Sequence, residues 1–192
     1  TAAGITRPLG GEDVCGDAYA VRGDRPLSLM LCDGSGHGPL AASASKEAAR
    51  TFRDPTQPGS PPEAVVARID RVLNGTRGGA VAVAELDPAA GLVRFAGVGN
   101  VGAAVVSSTD KRGMVSIAGV AGYRTPRIRA FSYPLSADAV VILHSDGVSA
   151  RWTRADVGGL LGRSPTLIAA TLLRDFGGRR DDACVLVGRA GP

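Results

Sequence analysis

The sequence predicts one α+β domain in which helices cover paired β-sheets. Three observations carry that prediction. Strand-like runs outnumber helical segments by roughly three to one. The helices fall two early and one late instead of alternating with strands, which argues against a doubly wound parallel sheet. Several strand-like runs, among them Leu29–Cys32 and Val140–Leu143, are apolar at every position, as strands covered on both faces require. A length of 192 residues suits a single domain, 1–192, with a sizeable core.

The elements follow in order. Residues 13–22 and 27–33 read as strands joined by the turn Arg22-Gly23-Asp24-Arg25-Pro26. Residues 39–53 read as a helix with Pro39 in its first turn and a small-residue body from Ala41 to Ala49. Asp54–Pro62, rich in Pro, Gly and Ser, is a loop. The pattern Ser60-Pro61-Pro62-Glu63 predicts a cap for a second helix with an apolar face of Val65, Ile69, Val72 and Leu73. Asn74-Gly75 ends it. Strands are expected at 80–86, 92–98, 101–107, 114–118, 128–133 and 139–144. A third helix, capped by Ser164-Pro165, presents Ile168, Leu172 and Phe176, and 182–189 forms a last strand.

Composition narrows the function. The net charge is +4, but the arginines are scattered (Arg50 and Arg53, Arg127 and Arg129, Arg179 and Arg180) and only 4% of residues are aromatic. A nucleic-acid platform needs basic stripes interleaved with stacking rings, so no nucleic-acid partner is expected. The wide spacing of Cys15, Cys32 and Cys184 argues against a disulfide framework or zinc site and for small buried hydrophobes in a reducing cytoplasm. No apolar run reaches membrane-spanning length. The chain opens on small residues without Met, as a domain cut from a longer polypeptide would.

Chemistry concentrates where apolar runs stop at Asp-Gly. Leu29-Met30-Leu31-Cys32 ends in Asp33-Gly34-Ser35-Gly36-His37-Gly38, and Val140–Leu143 in His144-Ser145-Asp146-Gly147. Gly16-Asp17 and Arg180-Asp181-Asp182 flank two further strand-like runs. Carboxylates brought together repel one another and require a counter-ion, and an all-oxygen ligand set selects hard cations such as Mg²⁺ or Mn²⁺. A metal-assisted hydrolase is the expectation. Gly36-His37-Gly38 is too short for a phosphate loop and lacks the following Gly-Lys-Ser/Thr.

Taken together, Cys15-Gly16-Asp17, Asp33-Gly34-Ser35-Gly36-His37-Gly38, Gly97-Val98-Gly99-Asn100, Ser145-Asp146-Gly147 and Asp181-Asp182 resemble the metal-dependent serine/threonine phosphatases of the PPM family. The short Asp-Gly-x-Gly-His-Gly form is similar to the SpoIIE-type, RsbX-like bacterial branch. The resemblance implies an αββα four-layer sandwich of two mainly antiparallel sheets, with two divalent cations, Mn²⁺ or Mg²⁺, at one end. It assigns Asp33 as the bridging carboxylate, the Gly34 carbonyl as a ligand, Asp146 and Asp181 as ligands of the other ion, and Asp17 near the second metal. Asp182 is the alternate to Asp181.

The resemblance also implies hydrolysis of phosphoserine or phosphothreonine on a regulatory protein of anti-anti-sigma (STAS) or stress-signalling type. The rival reading is a catalytically inactive sandwich acting as a binding module. His37 is a candidate general acid or a structural loop residue, displaced from the histidine that directly follows Asp-Gly in longer-known members. Asn100 either orients phosphate or serves a Gly-Asn turn. Arg7 is the upstream candidate for holding phosphate. His144, Trp152 and Phe176 are expected in packing roles.

Overall fold

The computed structural model describes all residues except 24, 25, 55, 57, 58, 124, 126 and 190–192. Ten strands and four helices occur among the described residues: β1 (Ala2–Arg7), β2 (Asp17–Arg22), β3 (Leu27–Gly34), α1 (Gly38–Arg53), α2 (Pro62–Leu73), β4 (Gly79–Asp87), β5 (Leu92–Val98), β6 (Gly102–Val106), β7 (Lys111–Gly113), β8 (Phe131–Pro134), β9 (Val140–His144), α3 (Arg154–Gly158), α4 (Pro165–Phe176) and β10 (Ala183–Gly188). They form two five-stranded sheets in the orders β1-β10-β9-β6-β7 and β2-β3-β4-β5-β8. Every paired neighbour is antiparallel.

Side-chain alternation along the strands builds the layers. In β3, Leu27, Leu29 and Leu31 enter the layer between the sheets, where they meet Val141 and Leu143 of β9 and Cys184 and Leu186 of β10. Met30 and Cys32 point the other way, onto Ala44, Ala48 and Phe52 of α1 and Val65 and Ile69 of α2. On the outer face of the other sheet, Val140, Ile142, Val185 and Val187 pack against Trp152, Val157, Ile168 and Leu172. Both faces of each central strand are therefore dry, which explains the unbroken apolar runs. Burying each of these large side chains contributes about 1.5–3 kcal/mol at most. The result is the expected αββα sandwich.

The helices behave as their residue patterns require, with corrections. Small residues (Ala41, Ala44, Ser45, Ala48) line the buried face of α1, so its backbone approaches the sheet closely. Ser164 caps α4, its hydroxyl accepting from the Leu167 N–H. The N-cap of α2 is Pro61, one residue beyond Ser60, and Pro61 makes no side-chain capping bond. In α2, Val66 is buried and Val72 is exposed, because the helix turns its 65–66–69–73 stripe to the sheet.

Strand β1 escapes local reading because Ala-Ala-Gly-Ile-Thr carries one large apolar side chain. It forms by pairing with β10 from the far end of the chain, in register Ala2↔Gly188 to Arg7↔Ala183. Residues 13–16 are not strand, and the expected strand at 128–133 is confined to 131–134. Residues 114–118 are not a strand either. Met114 N–H donates to Ala103 of one sheet and Ile117 N–H to Gly97 of the other, so the segment crosses between sheets. Helix α3 is a single short turn set by the capping box of Thr153 and Asp156, too brief to leave a periodic signal. Of the expected turn at 22–26, Asp24 and Arg25 lie outside the described residues, as do 55, 57 and 58 of the loop at 54–62.

Candidate metal centre

The alternation that sends Leu29 and Leu31 between the sheets sends Asp33 there too, at the open end of the layer. Its cross-strand partner in the β2–β3 ladder is Asp17. From the other sheet, β9 runs out into Ser145-Asp146-Gly147, and Asp181-Asp182 leads into β10. Glycines let these segments touch. A Cβ on Gly34 would collide with the Ala41 carbonyl of α1, and one on Gly147 with the Asp182 carbonyl. Only glycine allows either approach. Gly34 N–H also donates to the Gly16 carbonyl at 3.3 Å, joining the first and second acidic motifs.

A cleft of about 730 Å³ opens at this end, lined in part by Asp33, His37, Asn100, Asp146, Arg180 and Asp181. Asn100 Nδ2 donates to Asp146 Oδ2 at 2.5 Å. Asp17 lies behind the cleft at 5% exposure and Asp182 at 2%. Asp182 Oδ1 accepts from the Leu9 N–H at 2.9 Å. The neighbouring aspartates thus divide: Asp181 faces the cleft, and Asp182 ties down the N-terminal loop.

The electrostatics are those of carboxylates lacking a partner charge. Burial, then repulsion from Asp17, Asp146 and Asp181, pushes Asp33 up to about 8, and a hydrogen bond with Asp146 favours its protonated form. Burial raises Asp17 to about 7, against a lowering bond from Ser145 and with repulsion from Asp182, Asp146 and Asp181. Oδ2 of Asp17 and Oδ2 of Asp182 are buried with no hydrogen-bond partner. Among the described residues, no three His, Cys, Asp or Glu side chains stand at ligand spacing. Orphaned carboxylate oxygens and an acceptor-only donor set fit a hard divalent cation.

The other sequence candidates sort clearly. His37 is at the cleft, its Nδ1 2.7 Å from Glu12 Oε1. Arg7 is not among the lining residues; its guanidinium donates to the Gly178 carbonyl, fastening the loop beside Gly147. Arg180 does line the cleft. Its signal was the position directly before Asp181-Asp182. Ser145 was also missed. Its buried Oγ accepts from Cys184 N–H at 2.9 Å and bonds Asp17, linking the sheets. His144 and Trp152 pack as expected: Trp152 Nε1 donates to His144 Nε2 at 3.3 Å, and His144 Nδ1 meets the Ser145 carbonyl at 2.8 Å. The cysteines carry no disulfide; Cys32 and Cys184 are buried and Cys15 partly so.

Solved structures resemble this chain over nearly its whole length. One, from the bacterial stressosome, a modular system adapted to control secondary messenger signalling, is 27% identical, with 98% of each chain covered and a TM-score of 0.88. RsbX in complex with magnesium is 19% identical over 97% of this chain and 92% of its own, with a TM-score of 0.84. The PP2C phosphatase domain of SpoIIE from Bacillus subtilis, with a fragment of its regulatory domain, is 19% identical over 97% of this chain and 62% of that one, TM-score 0.78. Comparison with curated protein sequences gives no match. The fold is thus that of the PPM serine/threonine protein phosphatases, a class of Mg²⁺- or Mn²⁺-dependent hydrolases. Residues 23–190 match Stage II sporulation protein E (SpoIIE), and the chain belongs to that family.

Proposed function

We propose that this domain removes phosphate from phosphoserine or phosphothreonine of a regulatory protein in the cytoplasm, using two divalent cations. The observation that carries this reading is the meeting of Asp33, Asp146 and Asp181 at one cleft, with Asp17 buried behind it. Asp33, the Gly34 carbonyl, Asp146 and Asp181 would hold the ions. When bound, Mg²⁺ or Mn²⁺ lowers the pKa of water and neutralises phosphoryl oxygens as a Lewis acid.

The protein supplies the remainder. Asn100 fixes the Asp146 carboxylate through its 2.5 Å bond, and Ser145 fixes Asp17. Arg180 at the cleft wall offers a bidentate donor to the phosphate. His37 supplies the proton that the departing serine oxygen needs. The preferred partner is a STAS-type or stress-signalling phosphoprotein, in keeping with the family and with the stressosome chain to which this one is similar.

Hydrolysis of p-nitrophenyl phosphate and of a phosphoserine protein, with Mn²⁺, with EDTA, and by Asp33→Asn, tests the reading. Turnover should require Mn²⁺ and fall by at least about 10²-fold in the variant. Turnover indifferent to EDTA would remove the metal mechanism.

A further inference from the structure

We infer that Glu12 is the positioning residue for His37, forming a carboxylate–imidazole pair that directs a proton to the serine leaving group. The inference rests on the proposed phosphatase reading and extends it to the departing oxygen.

The pair is built by a dedicated strap. Leu9 N–H is anchored on Asp182 Oδ1 at 2.9 Å. Glu12 N–H then donates to the Leu9 carbonyl at 3.0 Å, closing a turn whose third residue, Gly11, sits at φ 93°. That turn delivers the Glu12 carboxylate to His37 Nδ1 at 2.7 Å. Behind it, Gly38 lies at φ 72°, and a Cβ there would stand 3.0 Å from Glu12 Oε2. The carboxylate is seated between the strap and the start of α1.

His37 itself occupies a position where another residue type is expected. It is the N-cap of α1, yet its side chain makes no capping bond, whereas Ser, Thr, Asp or Asn would satisfy an orphan N–H there. A cation at a helix N-terminus is also opposed by the positive end of the macrodipole. Glu12 supplies the compensating negative charge. With Nδ1 held by Glu12, Nε2 is the nitrogen free to transfer a proton, and His37 lines the cleft.

The step balances. Water adds to phosphorus, and the P–Oγ bond breaks with its electron pair on the serine oxygen. That oxygen takes the imidazolium proton. The proton released by the water restores the imidazolium through solvent, and the sum is serine plus hydrogen phosphate.

Proton donation matters for an alkoxide and little for p-nitrophenolate, so the readout is the ratio of the two activities. With Mn²⁺ present, Glu12→Ala and His37→Ala should each lower the ratio of phosphoserine-peptide to p-nitrophenyl phosphate turnover by about tenfold or more. The double variant should match His37→Ala alone, since Glu12 acts only through the ring. Glu12→Gln, which keeps an acceptor but not the charge, should fall between Glu12→Ala and the wild type. An unchanged ratio in Glu12→Ala, or additive losses in the double variant, would overturn the pairing. Wild-type protein inactive on both substrates would instead remove the phosphatase reading on which the pairing rests.

Discussion

Asp17 and Asp33 stand directly opposite each other in the β2–β3 ladder, both directed into the layer between the sheets. Like charges at such a position oppose folding. The sandwich holds them because Leu29, Leu31 and Tyr19, in the same alternation, bury into or pack against the central core.

Replacing one of the pair should separate stability from function. Asp33→Asn relieves the repulsion, so the metal-free protein should gain about 1–2 kcal/mol in urea unfolding. Phosphatase activity should drop by about 10²–10³-fold or more. A destabilised Asp33→Asn would contradict the electrostatic account.

The raised carboxyl pKa values set a pH dependence. Folded-state values of about 8 for Asp33 and about 7 for Asp17 exceed the ordinary 3.8. Their contribution to stability is therefore complete below about pH 4 and lost as pH rises through the folded values. Cation binding needs the deprotonated forms. The rise in Tm on adding Mn²⁺ should be small at pH 5 and grow toward pH 8. A pH-independent rise would rule out these ligands.

Adjacent aspartates should behave differently. Asp181→Ala should weaken Mn²⁺ binding in calorimetry with little change in Tm. Asp182→Ala leaves the part-buried Leu9 N–H without its acceptor and should cost about 1 kcal/mol. Reversed phenotypes would reassign the ligand.

Gly34→Ala tests the packing that seats α1. Its methyl would strike the Ala41 carbonyl, so stability should fall by about 1–3 kcal/mol. Mn²⁺ affinity should fall with it, because the displaced backbone belongs to residue 34 itself.

Arg180→Ala should raise KM for phosphopeptide several-fold, whereas Arg7→Ala should act mainly on Tm by freeing the Gly178 carbonyl. A KM effect confined to Arg7 would restore the upstream arginine as the phosphate contact.

Much of this was legible in the residues. Apolar runs covered on both faces, Asp-Gly at strand ends and helices placed two early and one late leave few architectures available. Short-range signals also marked Pro39, Ser164 and Asn74 at helix ends. What failed did so for identifiable reasons. Strand β1 depends on a partner at the opposite end of the chain, and 114–118 reads as a strand although its N–H groups are divided between two sheets.

The chain's order of residues alone determined which carboxylates exist and that each lies beside a strand-like run, because alternation and glycine placement are local. It could not say that Asp181 and not Asp182 faces the cleft, that Arg180 lines it and Arg7 does not, or that Glu12 lies beside His37. Those outcomes depend on which segments meet at the mouth of the sandwich. Only the packing of two sheets and the strap from Leu9 to Glu12 brings them within a few ångströms, the range over which charge and hydrogen bonding act.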